Sequence, residues 1–267
     1  MPTIEENKKS WNENYSWINR GDEWSMGWGS VQMQWYTCIL PRIQNFLPTQ
    51  SILEIACGHG RWTNLLKASC DHIIGVDLAE QCIKVCKERF KQDSNSEFYV
   101  NDGKSLSMAK DSSINFIFSF DSLVHANKEV MESYLPEICR ILTPGGVAFI
   151  HHSNLEEHFV KFRFLKKMPF LAAFLSGIGL IDENLHWRDS TVSAYLFRSI
   201  AEECGLKCKS QEIIKWGTKK VYNDCFTVLC KTDEDIATKI ERNKFFNKET
   251  ENSLMLTKLY DEKNLIV

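Results

Sequence analysis

The sequence predicts an α/β protein: a doubly wound, mainly parallel sheet of seven strands with an antiparallel terminal hairpin. Three observations carry this. From Ser51 onward, short runs rich in Ile, Val and Phe alternate with stretches of helical period. The first run breaks off at a glycine-bearing turn, Cys57-Gly58-His59-Gly60. The last two runs, 207–214 and 225–230, are joined by a loop of about ten residues containing Gly217, short enough for a hairpin.

The elements follow in order. Residues 51–56 (SILEIA) read as a buried strand, and 61–68 as a short helix. The run 72–77 (HIIGVD) is a second strand, followed by a helix over 79–91 with Cys82, Ile83, Cys86 and Phe90 on one face. Residues 97–100 and 114–120 are the third and fourth strands. The helix 129–141 is stopped by Thr143-Pro144 and Gly145-Gly146, and 147–152 is the fifth strand. Strands joined through helices pair in parallel by right-handed crossovers and are covered on both faces. After a helix over 191–204 come the two hairpin strands. Residues 153–190 interrupt the alternation with apolar helices and the polar segment 182–190, an insertion expected over the carboxyl end of the fifth strand. The organisation predicted is an aromatic N-terminal cap (1–50), a central domain (51–231) carrying that insertion, and a helical, exposed tail (232–267) open to self-association as a homo-oligomer.

Composition narrows the function. The 267 residues carry 32 Lys and Arg against 35 Asp and Glu, a net charge of −3. That balance argues against a nucleic-acid-coating protein, which needs a surplus of cations. Eight Trp and sixteen Phe exclude a disordered chain. No apolar run suited to a secretory signal opens the sequence. The most apolar stretch, 168–181, is shorter than the ~20 residues of a spanning helix. A cytoplasmic protein without a transmembrane segment is expected. The ten Cys include no CxxC pair and read as small core residues in a reducing compartment, not as disulfides or a zinc site.

Three consecutive strand ends carry chemistry. Glu54 precedes Gly58 and Gly60, glycines that let the backbone approach a ligand at a helix N-terminus. The third glycine of the dinucleotide fingerprint is missing, and a plain tight turn explains the pair alone equally well. Asp77 ends the second strand, where an acid accepts both hydroxyls of a ribose. Asp102 follows the third strand in Asn101-Asp102-Gly103, where a carboxylate or an amide can reach an adenine edge; a turn Asp before Gly is the bland alternative.

Together, LEIACGHGRWT (53–63), the acid Asp77, NDGKSL (101–106), FSFDSLVH (118–125) and PGG (144–146), closed by a hairpin, resemble the class I S-adenosylmethionine-dependent methyltransferases over residues 51–231. The resemblance implies a Rossmann-like fold and S-adenosylmethionine as cofactor. It sets Glu54, Gly58, Gly60 and Arg61 beside the methionine part, Asp77 and Leu78 at the ribose, and Asp102 and Gly103 at the adenine. Ser119, Phe120 and Asp121 fall beside the reacting methyl group. His59 departs from the small residue expected inside the loop. The strings WNENYSW (11–17), GDEWS (21–25) and FIHHSN (149–154) are similar to bacterial methyltransferases of sugar and surface-polysaccharide metabolism, which implies a glycan or small-molecule acceptor.

The first 35 residues hold Trp11, Tyr15, Trp17, Trp24, Trp28 and Trp35 among glycines and polar residues. They read either as filler over the sheet edge or as a lid, with Trp24 and Trp28 against the cofactor; a sulfonium cation favours an aromatic face. Methyl transfer to a hydroxyl needs alignment and a base. His151 and His152 are the leading base candidates, on opposite faces if the strand continues, with Asp121, His125 and His186 beside them. A divalent ion such as Mg²⁺ on Asp121, His151 or His152, and Asn154 is not required by the spacing and is left unassigned. The reading is therefore an O-methyltransferase of a sugar hydroxyl. The alternatives are an N- or O-methyltransferase of a small metabolite, or a non-catalytic methyltransferase-like binding protein.

Overall fold

The computed structural model describes residues 3–158, 188–218 and 220–261. Its strands are β1 (Thr49–Ile55), β2 (Cys70–Asp77), β3 (Ser96–Val100), β4 (Ile114–Ser119), β5 (Leu142–Ser153), β6 (Lys207–Ile214), β7 (Asp224–Cys230) and β8 (Lys239–Arg242). They form one sheet in the order β3-β2-β1-β4-β5-β7-β6-β8. The first five pair in parallel, while β7 runs antiparallel to both β5 and β6. The expected parallel sheet and terminal hairpin are therefore present.

The strand count is corrected from seven to eight. β8, parallel to β6, arises in the tail that was expected to be helical. Its four residues, Lys-Ile-Glu-Arg, are all exposed, so it is held by backbone pairing without an apolar pattern to announce it. The longer helices among the described residues are α1 (Glu80–Arg89), α2 (Lys128–Ile141), α3 (Ala194–Glu203) and α4 (Phe246–Leu259).

Side-chain alternation along the strands divides the core between two faces. Leu53, Ile55, Ile117, Ala148 and Ile150 pack beneath α2 and α3 on one side. α2 starts at Asn127, whose side chain accepts the Val130 N–H, and it buries Val130, Met131, Tyr134, Leu135, Ile138 and Ile141. On the other side Ile52, Phe116, Phe118, Phe149 and Phe226 meet Trp28, Trp35, Ile39, Ile43 and Phe246. Residues from Trp28 onward thus complete the core, and the tail is fastened to them. Arg42 donates Nε and Nη2 to the Glu212 carboxylate, both at 2.6 Å, and Nη2 to Glu249 of α4 at 3.0 Å. The Ser253 hydroxyl donates to Thr37 Oγ1 at 2.8 Å.

Of the insertion expected at 153–190, residues 159–187, with its apolar helices and His186, lie outside the described residues. Among the described residues no helix is long and apolar enough to cross a membrane. β1 has β2 on one side and β4 on the other, so the chain reverses direction of travel there. Ligands of open α/β sheets bind in the crevice outside the carboxyl ends at such a reversal.

Candidate active site

The turn leaving β1 sets the floor of that crevice. Ala56, Gly58 and Gly60 all adopt positive φ, at 59°, 56° and 78°. Asp77, at the end of β2, reaches across and accepts the Gly58 N–H at 2.9 Å and the Ala79 N–H at 2.8 Å. Burial raises its pKa, and those amide hydrogen bonds oppose the rise. The two glycines separate in role. Gly58 lies on the cavity wall, whereas a Cβ on Gly60 would sit 2.4 Å from the Phe90 ring. Gly60 therefore serves close packing of the loop on α1.

A cavity enclosing about 1070 Å³, open solvent at its mouth included, fills the crevice. Of the site residues expected from the sequence, Gly58, Arg61, Asp77, Leu78, Gly103, Phe120, Asp121 and His125 line it, and Trp11, Trp17 and Trp24 line it from the N-terminal segment. Five expected cofactor residues are elsewhere, Trp28 of the N-terminal segment among them. Glu54 is buried behind the loop, accepts a hydrogen bond from the Thr63 hydroxyl, and has its pKa pushed up to about 8 by desolvation. Ser119 is fully buried and donates to the Ile55 carbonyl at 3.1 Å. Gly60 is a packing contact. Asp102 closes its own turn, accepting the Lys104 N–H at 2.8 Å and the Ser105 N–H at 2.7 Å. The residue beside it, Asn101, lines the cavity instead. Asn101 Nδ2 donates to the Tyr134 hydroxyl at 2.7 Å, while its Oδ1 is buried without a partner.

The aromatic N-terminus divides between the cavity wall and the core. Trp11, Tyr15, Trp17 and Trp24 form one cluster with ring centroids 5.1–6.1 Å apart. Three of its indoles, Trp11, Trp17 and Trp24, line the cavity. Trp28 and Trp35 are filler. Trp28 packs on Phe246 at 5.7 Å and Trp216 at 6.4 Å, away from the cavity, which corrects its place beside the cofactor. Arg61 is buried against these rings, 4.3 Å over Trp62 and 5.6 Å over Trp24, with Nη1 donating to Ser25 at 3.1 Å. Burial lowers its pKa, opposed by Asp121 and nearby acids.

Neither leading base candidate reaches the cavity. β5 continues through Ser153, so His151 and His152 are interior strand residues and both are fully buried. His152 is stacked on Phe197 at 3.9 Å and hydrogen-bonds to the Ser153 carbonyl and Thr227. Desolvation lowers its pKa to about 3. His151 Nδ1 accepts the Asp121 N–H at 3.1 Å, which puts the ring proton on Nε2, 3.0 Å from Asp224. With these nitrogens occupied, and Asn154 bonded to Glu157, Tyr222 and Ala194, the candidate metal ligands do not converge. Asp121 and His125 remain on the wall, His125 with its ring 5.9 Å from Trp11.

Two contributors, His59 and Asp224, escaped the sequence reading, and a third, Asn101, entered it only as the amide of the Asn-Asp-Gly turn. Asn101 sat beside the more conspicuous Asp102. His59 looked like bulk inside a glycine loop, yet its ring stacks under Trp17. Asp224 opens a strand with no local motif around it.

The fold is that of the class I S-adenosylmethionine-dependent methyltransferases, and residues 52–146 match the family model described as a methyltransferase domain. A phosphoethanolamine N-methyltransferase of Triticum aestivum is 31% identical over 119 residues, 42% of this chain and 24% of that protein. The chain thus spans about a quarter of that relative's length. A demethylmenaquinone methyltransferase of Leptospira interrogans is 26% identical over 182 residues, 62% of this chain and 71% of the other. The crystal structure of an N-methyltransferase from Bradyrhizobium japonicum in complex with S-adenosyl-L-homocysteine superposes with a TM-score of 0.53 at 14% identity, covering 85% of this chain and 96% of its own.

The cavity suits such a cofactor. Its wall offers a partnerless buried carbonyl oxygen on Asn101 and a partnerless indole N–H on Trp62. Asp77 stands at a strand end where an acid can accept ribose hydroxyls, Gly58 has a positive φ and lines the wall, and Arg61 is a cation that a carboxylate could meet.

Proposed function

We propose that the protein transfers a methyl group from S-adenosylmethionine to a hydroxyl of a small, sugar-like acceptor, with His125 as the general base. The observation that carries this is the corner formed by Asp121 and His125 on the cavity wall beneath Trp11, Trp17 and Trp24. When bound, the cofactor supplies a methyl carbon already activated by its sulfonium. Asp77 and Asn101 would hold the nucleoside, and Arg61 the amino-acid end. Indole faces would cover the apolar C–H face of a sugar ring and shield the sulfonium. His125 would take the hydroxyl proton as the oxygen attacks in line, a positioned base contributing roughly 10²- to 10⁴-fold.

A second reading has its own support. Asp121 and three indoles lining the same cavity also suit an ammonium-bearing acceptor; the ammonium loses its proton to water before the free amine attacks, which needs no strong base. Label transfer from isotopically marked S-adenosylmethionine to a panel of sugars and amines tests both. Under the first reading, methylated sugar appears and His125→Ala reduces turnover by at least about 10²-fold. Methylated amines, with His125→Ala near wild type, would replace it with the second.

A further inference from the structure

We infer that Asp224, acting through His151 and Arg188, is the positioning device that fixes Asp121 at the acceptor side of the cavity. The inference rests on the methyl-transfer reading above. Asp121 is held at φ 58°, a left-handed conformation that a non-glycine residue keeps only when its surroundings impose it. Two arms impose it. The backbone arm is the Asp121 N–H donating to His151 Nδ1 at 3.1 Å. The side-chain arm is Arg188 Nη2, 3.4 Å from Asp121 Oδ1.

Both arms end on one carboxylate. His151 Nε2 lies 3.0 Å from Asp224 Oδ2. Arg188 reaches Asp224 with Nη2 at 2.9 Å and with Nε at 3.2 Å to each oxygen. The sheet register explains the meeting. Ser153 pairs with Asp224 across β5 and β7, so His151, two residues earlier, is on the same face and diagonal to it. Asp224 and His151 are fully buried, and Arg188 is nearly so. Phe120, Trp216 and Phe226 enclose the imidazole with centroids 4.7–5.1 Å away. In that dry setting the hydrogen bonds are strong and the geometry stiff. His151, a base candidate by sequence, is therefore a positioning residue: its lone pair is spent on the Asp121 amide. Asp224 and Arg188 are positioning residues of the same kind.

The test compares His151→Leu with His151→Asn, reading kcat and KM by label transfer, S-adenosylhomocysteine affinity by calorimetry, and folding by thermal melting. The Asn Oδ1 stands where Nδ1 stood and can still accept the Asp121 N–H. Leu cannot. Misplacement of a reacting group by about 1 Å costs about 10²-fold, so the Leu variant should lose about that much kcat. Its S-adenosylhomocysteine affinity should stay within about twofold, and the Asn variant should recover most of the rate. A packing role alone predicts the reverse order, because Leu suits the aromatic surroundings better than a buried amide. If the Leu variant does not fold, Arg188→Lys carries the test. A single ammonium cannot span Asp224 and Asp121 as the guanidinium does, so its kcat should fall with cofactor affinity kept. Wild-type kcat in Leu or Lys, or an Asn variant no faster than Leu, overturns the inference alone. A wild type that neither binds S-adenosylhomocysteine nor transfers label overturns the methyltransferase reading, and this inference with it.

Discussion

The Trp17 indole is stacked on the His59 imidazole, with ring centroids 4.2 Å apart and planes 22° from parallel. The roof of the cavity is thereby docked on the loop that forms its floor. A Cβ at Gly58 would also meet the Trp17 ring, at 3.1 Å. Burial lowers the His59 pKa, which favours a neutral ring for stacking. The bulky residue that departs from the glycine-loop pattern is thus the surface on which Trp17 rests.

Trp17→Ala should weaken S-adenosylhomocysteine binding severalfold, since an aromatic pair is worth about 0.5–1.5 kcal/mol beyond its buried area. Trp28→Ala should behave oppositely. It removes an indole from the core and should lower stability by about 3–5 kcal/mol, leaving affinity in the surviving folded protein unchanged. Calorimetry and urea unfolding on both variants separate lid from filler. Matching affinity losses would mean that Trp28 belongs to the roof after all.

Asp77→Ala should raise the S-adenosylhomocysteine Kd by more than about tenfold, because a charged acceptor for the ribose diol is lost and the Gly58 N–H loses its anchor. Asp77→Asn keeps an oxygen for that amide and should fall between Ala and wild type. Titration calorimetry decides, and wild-type affinity in the Ala variant removes Asp77 from the site.

The adjacent residues 101 and 102 should separate cleanly. Asp102→Ala breaks a turn and should cost stability of about 1 kcal/mol, with cofactor affinity intact. Asn101→Ala removes the partnerless oxygen on the cavity wall and should weaken binding. If the two variants exchange these phenotypes in thermal melts and binding assays, the adenine side belongs to Asp102.

Glu54 makes stability depend on pH. Its folded pKa of about 8 lies above the ordinary 4.5, so the native state retains a proton that the unfolded chain has released. The contribution is fully present below about pH 4.5 and is lost as pH rises through 8. Glu54→Gln mimics the protonated form and should flatten that fall. Unfolding free energies between about pH 5 and 9 check this, and an unchanged pH slope in the Gln variant would show that Glu54 is already ionised in the native state.

What the sequence determined by itself was local and periodic. Runs such as SILEIA and INFIFSF between helical stretches dictate parallel strands with crossovers, because only that arrangement buries both faces of such runs. The strand ends then bring Gly58, Asp77 and Asp121 to one side, since parallel strands share a direction. What only the tertiary structure decided was which side chains meet the cavity. Alternation says that His151 and His152 face opposite ways, but not that β5 runs on to Ser153 with β7 paired beside it, sealing both rings. The split of the tryptophans between roof and core, and the pairing of β8, likewise rest on contacts between residues far apart in the chain. Period records where a side chain points relative to its neighbours; what it points at is set by long-range packing.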